Sequence, residues 1–174
     1  MLKFGKFLIV LTYFTFFHNF NSKKIMIKIE RTNSSNPGFH TLIKELDNDL
    51  WKMNYSNQGH YDKHNIIESL PTVVIAYDNE TAIGCGCFKK FDETSAEVKR
   101  MYVAPSHRGK GISRMILTEL EIWAKEENYS ETILETGTAQ TEAIGLYENS
   151  GYSVTDNYGP YIGLPDSICF RKSL

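Results

Sequence analysis

The sequence predicts one domain that combines β-strands and α-helices. Short runs in which apolar and polar residues alternate, typical of half-buried strands, recur from residue 27 onward. Between them lie stretches in which apolar residues recur every three or four positions, as on one face of a helix. No internal repeat or low-complexity linker divides the pattern, and 174 residues are enough for one domain with a real core.

The first 25 residues differ in composition from the rest and are expected to lie outside the fold, so the domain covers residues 26–174. Six of the ten phenylalanines fall in the first twenty residues. An apolar run from Phe7 to Phe17 follows Lys3 and Lys6; it is short for a membrane span and has no small-residue cleavage site after it. Three interpretations stay open: a mis-assigned start ahead of Met26, a membrane or interfacial anchor, and a cleaved signal.

The first half of the domain is predicted to hold one strand, one helix and a three-stranded meander. Ile27 and Ile29 alternate with charged residues, as in a half-buried strand. Asn36 and Pro37 mark a helix start, since asparagine caps the helix and proline suits its first turn. One apolar stripe follows: Phe39, Leu42, Ile43, Leu46 and Leu50. The meander occupies residues 72–77, 82–88 and 95–103, with turn residues between its strands.

The second half is predicted to alternate helices with strands. A helix begins at about Ile112, ends near Glu127 and places Ile112, Ile116, Leu120 and Trp123 on one face. A short buried strand follows at residues 132–134. A second helix covers residues 140–150, with Gly151 as its stop. Residues 152–154 and 167–171 are expected to form a last antiparallel pair, separated by a loop rich in Tyr, Gly and Pro.

Charge and cysteine content exclude several classes of protein. The net charge is −2, so the chain has no general positive field for a nucleic acid. Three cysteines, an odd number, argue against a disulfide framework and indicate buried free thiols in a reducing compartment. Cys85 and Cys87 are two positions apart in a strand and should share a face. Their C-x-C spacing and the lack of a histidine pair predict no metal site.

The most informative stretch is the turn between the third meander strand and the helix after it. Pro105 ends the strand, and Arg108-Gly109-Lys110-Gly111 leads into the helix. Glycine lets the backbone pass close to a bulky ligand, and the first amides of a helix point outward without partners. The helix dipole favours an anion there, so the turn predicts a site for phosphate or pyrophosphate. Six basic or histidine positions are expected to converge on it: Lys99, Arg100, His107, Arg108, Lys110 and Arg114.

The turn resembles the acetyl-CoA-binding motif of the GNAT superfamily of N-acyltransferases. The family pattern is Gln/Arg-x-x-Gly-x-Gly/Ala, and residues 108–113 read R-G-K-G-I-S, with Ser113 where glycine or alanine is usual. Residues 143–152, A-I-G-L-Y-E-N-S-G-Y, are similar to a second family pattern, A-x-x-L-Y-x-x-x-G-F/Y. The resemblance covers residues 26–174. It implies an α/β fold with a mixed, mostly antiparallel sheet of about six to seven strands, flanked by helices on both faces and splayed near its middle.

The resemblance also implies an activity: transfer of an acetyl group from acetyl-CoA to a primary amine by direct attack. Glu97 then corresponds to the general base, and Tyr147 to the general acid that protonates the departing thiolate. The N–H of Val103 would hold the thioester carbonyl. Glu135, which follows a buried strand, is a second candidate for the base. Simple alternation along the strand places Lys99 and Met101 on the face of Glu97, and Arg100 and Tyr102 on the other.

Acetyl-CoA, used as a co-substrate without a metal, is expected to lie along the end of the strand, the turn and the helix start. Its expected contacts are Met101, Tyr102, Val103, Arg108, Gly109, Lys110, Gly111, Ile112, Ser113 and Gln140. Gln140 stands where the family often has asparagine. The acceptor is a small-molecule or peptide amine that the pattern does not identify. The loops at residues 51–65 and 158–166 should select it; the first is either a flap over the acceptor pocket or ordinary surface.

Two other functions are compatible with parts of this pattern. A regulatory module could bind CoA with the same fold and no turnover, although the presence of both Glu97 and Tyr147 argues against it. A nucleic-acid-binding module would need a wider basic face than one turn. We therefore predict a cytoplasmic monomer or homodimer that binds no nucleic acid. Contact with a membrane is expected only if the first 25 residues belong to the native protein.

Overall fold

A mixed β-sheet forms the centre of the molecule. The computed structural model describes residues 27–52 and 69–174. Within these ranges the sheet has the strands β1 (Ile27–Thr32), β2 (Val73–Asp78), β3 (Thr81–Lys90), β4 (Ser95–Val103), β5 (Glu131–Gly137), β6 (Ser153–Thr155) and β7 (Ser167–Ser173). The helices are α1 (Pro37–Lys52), α2 (Ile112–Glu126) and α3 (Thr141–Glu148), with short 3-10 turns at Pro105–His107 and Gly159–Tyr161. The predictions for the first 25 residues, and most of that for residues 51–65, lie outside the described residues.

The strand order is β1-β2-β3-β4-β5-β7-β6. Neighbouring strands run antiparallel except β4 and β5, which are parallel and joined through α2. A parallel pair needs such a crossover, because the chain must return to the same end of the sheet. The predicted mixed, mostly antiparallel sheet with helices on both faces is confirmed.

Helices α2 and α3 cover one face of the sheet. The buried residues of α2 are Ile112, Ile116, Leu117, Leu120 and Ala124, which agrees with the predicted apolar stripe. They pack with Tyr147 of α3 against Val74, Ile83, Val98, Leu134 and Phe170 of the sheet. Gly151 ends α3 with a φ of 87°, the left-handed conformation that glycine adopts without strain. This face carries the larger of the two apolar cores.

Helix α1 covers part of the other face. It begins as predicted, because the side-chain oxygen of Asn36 accepts a hydrogen bond from the N–H of Gly38 at 2.8 Å. Its residues Phe39, Leu42 and Ile43 are buried, and they pack with Val73, Ile75, Cys85, Cys87 and Tyr102. Cys85 and Cys87 therefore share a face, as the alternation predicted. All three cysteines are buried with free thiols.

The sheet opens between its two central strands. β4 pairs with β5 only from Ser95 to Glu97, opposite residues 131–133. Beyond that point β4 continues to Val103 with β3 as its partner, while residues 134–137 of β5 pair only with β7. The gap leaves backbone groups on both strands available to a ligand. This is the splay that the family resemblance implied.

A β-bulge interrupts β4 beside the opening. Lys99 lies opposite Cys87 and Tyr102 lies opposite Cys85, so two residues of β4 face a single residue of β3. Arg100, at the bulge, has a φ of 59°. The extra residue reverses the alternation. The prediction that Met101 shares the face of Glu97 was therefore wrong: Met101 packs in the core under α2, and Tyr102 faces α1.

Candidate active site

Glu97 lies at the point where β4 and β5 separate. It is 4 % exposed and sits on the central strand of the sheet, so it is not a surface carboxylate. Two lysine ammonium groups lie 3.5 Å from it: Lys99 Nζ from Oε1 and Lys89 Nζ from Oε2. Lys99 shares the face of Glu97, as predicted. The buried carboxylate is thus paired with positive charge, which a buried ion requires.

Two tyrosines of the loop before β7 donate hydrogen bonds to the same oxygen of Glu97. The hydroxyl of Tyr161 lies 3.1 Å from Oε1, and that of Tyr158 lies 3.3 Å from it. Lys99 Nζ in turn donates to the hydroxyl oxygen of Tyr161 at 2.9 Å. The side-chain amide of Asn157 braces the loop by donating to the carbonyls of residues 161, 164 and 167. The loop therefore holds both phenols against the carboxylate.

Glu135 lies on β5, across the opening from β4. Its Oε1 accepts a hydrogen bond from Ser167 Oγ at 2.6 Å. Burial raises the pKa of Glu135, and Glu97 adds to this, while Ser167 and Lys99 act in the opposite direction. A raised pKa favours the neutral acid. Glu135 is therefore more readily protonated than an exposed glutamate.

Tyr147 lies on the opposite face of the sheet, close enough to Glu135 for that charge to affect its pKa. Its ring is buried and makes edge or tilted contacts with Tyr152 and Phe170, with ring centres 5.8 Å apart in each pair. Its hydroxyl makes no hydrogen bond with any residue of 27–52 or 69–174. Burial, and then the charge of Glu135, raise the pKa of Tyr147. The phenol thus keeps its proton at neutral pH, as a proton donor must.

The turn after β4 presents backbone amides and open space to a ligand. Gly109 and Gly111 have φ values of 74° and 77°, and Gly111 is the N-terminal cap of α2. A Cβ on either glycine would meet no protein atom within 4 Å. The protein therefore needs glycine for the left-handed backbone and leaves the space in front of it open. The amides of residues 109–114 donate no hydrogen bond within the described part of the chain.

The charges near the turn are fewer than the sequence predicted. Lys99 faces Glu97, and Arg100 pairs with Asp47 of α1 at 2.6 Å, so neither joins the turn. The predicted convergence of six basic or histidine side chains was wrong, because the bulge and α1 draw these two away. Arg108 Nε donates to the carbonyl of Val103 at 2.8 Å, and its guanidinium also meets Asp49 at 3.1 Å.

The remaining predicted contacts lie around the opening. Ile112, the first residue of α2, is buried, and Ser113 is half-buried in the first turn of that helix. Lys110 Nζ donates to the carbonyl of Ser106 at 3.0 Å. Gln140 caps α3, and its side-chain oxygen accepts from the hydroxyl of Thr136 at 2.6 Å. The other amide atom of Gln140, its NH2 group, has no partner among the described residues.

The N–H of Val103 points into the opening. The next amide, that of Ala104, donates to the carbonyl of Ile83 on β3 at 2.8 Å. Because successive amides of a strand point to opposite edges, the Val103 amide faces away from β3, toward the gap. A donor at that edge is free to meet a ligand carbonyl between the strands.

Sequence reasoning missed the two tyrosines on Glu97. It identified residues 158–166 only as a loop that selects the acceptor. The tyrosine-rich composition of that loop was the available signal. The contact itself joins residues more than 60 positions apart, as from Tyr158 to Glu97, and no local pattern predicts such a pairing.

No helix within the described residues is long and apolar enough to span a membrane.

Comparison with known proteins agrees with this geometry. The model of the acetyltransferase (GNAT) family matches residues 40–152. A protein of Azospirillum brasilense named IAA acetyltransferase is 33% identical over 135 residues, which cover 76% of this chain and 88% of that protein. A crystal structure from Klebsiella pneumoniae, described as an acyl-CoA N-acyltransferase, is 30% identical with a TM-score of 0.71. The match covers 86% of this chain and 99% of that one.

A GNAT acetyltransferase of Elizabethkingia anophelis, solved with acetyl-CoA bound, shares the fold with a TM-score of 0.62. It is 20% identical, and the match covers 85% of this chain and 98% of that one. The family match spans more than half of the chain. The protein therefore belongs to the GNAT family. It is an N-acetyltransferase, an enzyme that transfers an acyl group as its relatives do.

Proposed function

We propose that this enzyme transfers the acetyl group of acetyl-CoA to a primary amine by direct attack. One observation carries the proposal: three kinds of group surround a single opening in the sheet. A buried carboxylate, Glu97, stands on one face, and a protonated phenol, Tyr147, stands on the other. The Val103 amide, which does not pair with β3, lies at the edge of β4 that faces the gap. Acyl transfer from a thioester to an amine needs a base, an acid and donors for the developing oxyanion.

The turn at residues 108–113 fits the pyrophosphate of CoA. Unpaired amides at a helix start bind anions, and the helix dipole adds partial positive charge. The open space before Gly109 and Gly111 would admit the phosphates close to the backbone. The backbone of Met101, Tyr102 and Val103, together with the Gln140 amide, would line the path of the rest of the molecule into the gap. The complex of the Elizabethkingia relative with acetyl-CoA supports this choice of acyl donor.

Glu97 is proposed as the general base. An alkylammonium must lose a proton before its nitrogen can attack, since such amines have pKa values near ~10.4. Of the two carboxylates at the opening, Glu97 lies on β4, the strand that leads into the glycine turn, and two tyrosine hydroxyls donate to it. Glu97 is therefore the first candidate for the base, and Glu135 on β5 stays the second candidate.

The Val103 amide would stabilise the negative charge that develops on the thioester oxygen, and Tyr147 would protonate the departing sulfur. Direct attack is favoured over a covalent intermediate because the thiols are poor nucleophiles. Burial raises the pKa of Cys87 to about 12 and that of Cys169 to about 11, and it raises the pKa of Cys85 well above its usual value. A thiol needs a lowered pKa to attack at neutral pH.

The test is an assay of thiol release from acetyl-CoA with a panel of amines. The panel should contain amino acids, polyamines, aminoglycosides, peptides with a free N-terminus, and simple alkyl and aryl amines. We expect at least one primary amine to accelerate thiol release and to yield the acetylated product by mass spectrometry. CoA binding without any acceptor-dependent release would contradict the proposal and favour a regulatory CoA-binding role.

A further inference from the structure

Glu97 is poorly placed to touch an acceptor amine itself. Its side chain is almost wholly buried, and both carboxylate oxygens already have partners. An ammonium in direct contact with the carboxylate would also lie beside the ammonium groups of Lys89 and Lys99. Like charges at that separation repel one another strongly in a site shielded from water. A base in this position needs a group that carries the proton from the substrate.

The two phenols on Glu97 differ in what else they touch. The Tyr161 oxygen accepts a hydrogen bond from Lys99, its hydroxyl donates to Glu97, and the residue is 4 % exposed. Both hydrogen-bonding directions of that hydroxyl are filled. The Tyr158 hydroxyl also donates to Glu97, but no residue of the described ranges donates to its oxygen. A lone pair of Tyr158 is thus free to accept a hydrogen bond from a substrate.

Tyr158 also reaches toward solvent. It is half-buried, and its ring meets that of Phe91 edge-on with ring centres 5.0 Å apart. Phe91 is 41 % exposed. Its other ring neighbour is the buried Tyr161, with ring centres 5.4 Å apart. Tyr158 is therefore the member of the cluster that joins the surface to the buried carboxylate.

We propose that Tyr158 is a catalytic residue that relays a proton from the acceptor ammonium to Glu97. The inference rests on the proposed function, in which Glu97 is the base. One N–H bond of the ammonium breaks and its proton passes to the Tyr158 oxygen, while the O–H proton of Tyr158 passes to Oε1 of Glu97. The amine becomes neutral and Glu97 becomes neutral. Tyr158 ends as it began, and Glu97 later returns its proton to solvent along the same route.

The phenol does not serve as the base by itself. Burial raises the pKa of Tyr158, and the charge of Glu97 raises it further. A phenolate is therefore not available at neutral pH. The hydroxyl can accept a proton only if it gives up its own in the same step, and Glu97 lies within hydrogen-bonding distance to take it. Tyr161, held between Lys99 and Glu97, keeps the carboxylate in position.

The experiment compares Tyr158→Phe with the unchanged enzyme, using 2-phenylethylamine and 4-methylaniline as acceptors. The first is an ammonium ion at pH 7 and must lose a proton, whereas the second is already neutral. We expect kcat for 2-phenylethylamine to fall by about tenfold or more, within the range of proton-transfer catalysis, and kcat for 4-methylaniline to change less than about twofold. Raising the pH toward the pKa of the alkylamine should restore the first rate.

Two variants complete the design. Tyr129→Phe is a matched control: this tyrosine lies in the turn between α2 and β5, packs edge-on to Phe88 and should leave both rates unchanged. Tyr161→Phe should lower kcat for the alkylamine less than Tyr158→Phe does. The melting temperature of each variant, and its affinity for CoA, report on damage to the fold.

Equal losses for both acceptors, or an unchanged alkylamine rate, would overturn the relay through Tyr158. If only Tyr161→Phe slowed the alkylamine reaction selectively, the relay would belong to Tyr161, and the proposal for Tyr158 would be wrong. Glu97→Gln separates this failure from failure of the proposed function. If Glu97→Gln slows only the alkylamine reaction and Tyr158→Phe leaves that reaction unchanged, Glu97 remains the base and the relay through Tyr158 is wrong. If no amine is acetylated, or if Glu97→Gln has no effect, the proposed function and the relay are both wrong.

Discussion

The two sides of the opening in the sheet are built differently. On the α1 side, side chains make the site: Glu97 is surrounded by two lysines and two tyrosines within 3.5 Å. At the turn before α2, the backbone makes the site, with unpaired amides and two glycines in the left-handed conformation. We therefore expect proton removal to depend on the identity of the side chains around Glu97. Cofactor binding should instead depend on the open space around the backbone of the turn.

The largest effect is expected for Glu97→Gln, which keeps the shape of the side chain and removes its basicity. Turnover of an alkylamine acceptor at pH 7 should fall by about 10²–10⁴-fold, the usual contribution of a positioned base. An arylamine, which is already neutral, should lose far less. Raising the pH should partly restore the alkylamine rate, because free amine accumulates as the pH approaches its pKa. Steady-state kinetics with both acceptors would measure this.

Damage to the fold would slow both acceptors alike in that variant. Such a result would remove Glu97 from the mechanism. Glu135→Gln, tested in the same assay, is the matched comparison, because Glu135 is the second carboxylate at the opening. A selective loss there would move the role of base to Glu135.

Tyr147→Phe should give the next largest effect, a fall in kcat of about 10²-fold at the lower end of general-acid catalysis. The raised pKa of Tyr147 means that the phenol stays protonated as the pH rises past the usual tyrosine value. The unchanged enzyme should therefore show no loss of rate from this group up to pH 10. The pH profile of kcat measures whether the rate stays constant, as expected, or falls as the pH approaches 10. Tyr152→Phe, which alters the neighbouring ring, should retain the rate; equal losses would make Tyr147 a packing residue.

Gly111→Val should weaken CoA binding by at least about tenfold, ~1.4 kcal/mol, because its side chain would enter the space in front of the turn. Lys110→Ala removes an exposed charge and should cost about 1 kcal/mol or less. Calorimetric titration with CoA would measure both. Gly151→Val controls for backbone strain, since Gly151 also has a positive φ but lies at the end of α3. A larger loss for Lys110→Ala than for Gly111→Val would make the site a patch of charge.

The smallest effect is expected on removing residues 1–25. The domain proposed here covers residues 26–174, and the first described strand begins at Ile27. Protein that starts at Met26 should unfold at the same temperature as the full chain and bind CoA equally well. Thermal melts of both proteins would decide the matter. A loss of several degrees on truncation would show that the segment contributes to the stability of the domain.

Local pattern predicted much of this molecule. The alternation of apolar and polar residues, with the turn residues between, predicted the strands of the meander. Apolar residues every three or four positions predicted α2, and the two motifs singled out the glycine turn and Tyr147. The face of Met101 was predicted wrongly because alternation assumes a regular strand, and the bulge at Arg100 adds one residue. Nothing local indicates that bulge. The partners of Glu97 could not be predicted either, since they come from a loop brought back across the sheet.

The central claim is that the base, Glu97, and the backbone that binds the cofactor lie on separate sides of one opening. Titration of acetyl-CoA into Glu97→Gln tests it most directly, because the variant should be inactive on alkylamines but intact at the turn. We expect a Kd within about twofold of the unchanged enzyme, a difference of less than ~0.5 kcal/mol. A Kd weakened tenfold or more would contradict the account, since Glu97 would then take part in holding the cofactor.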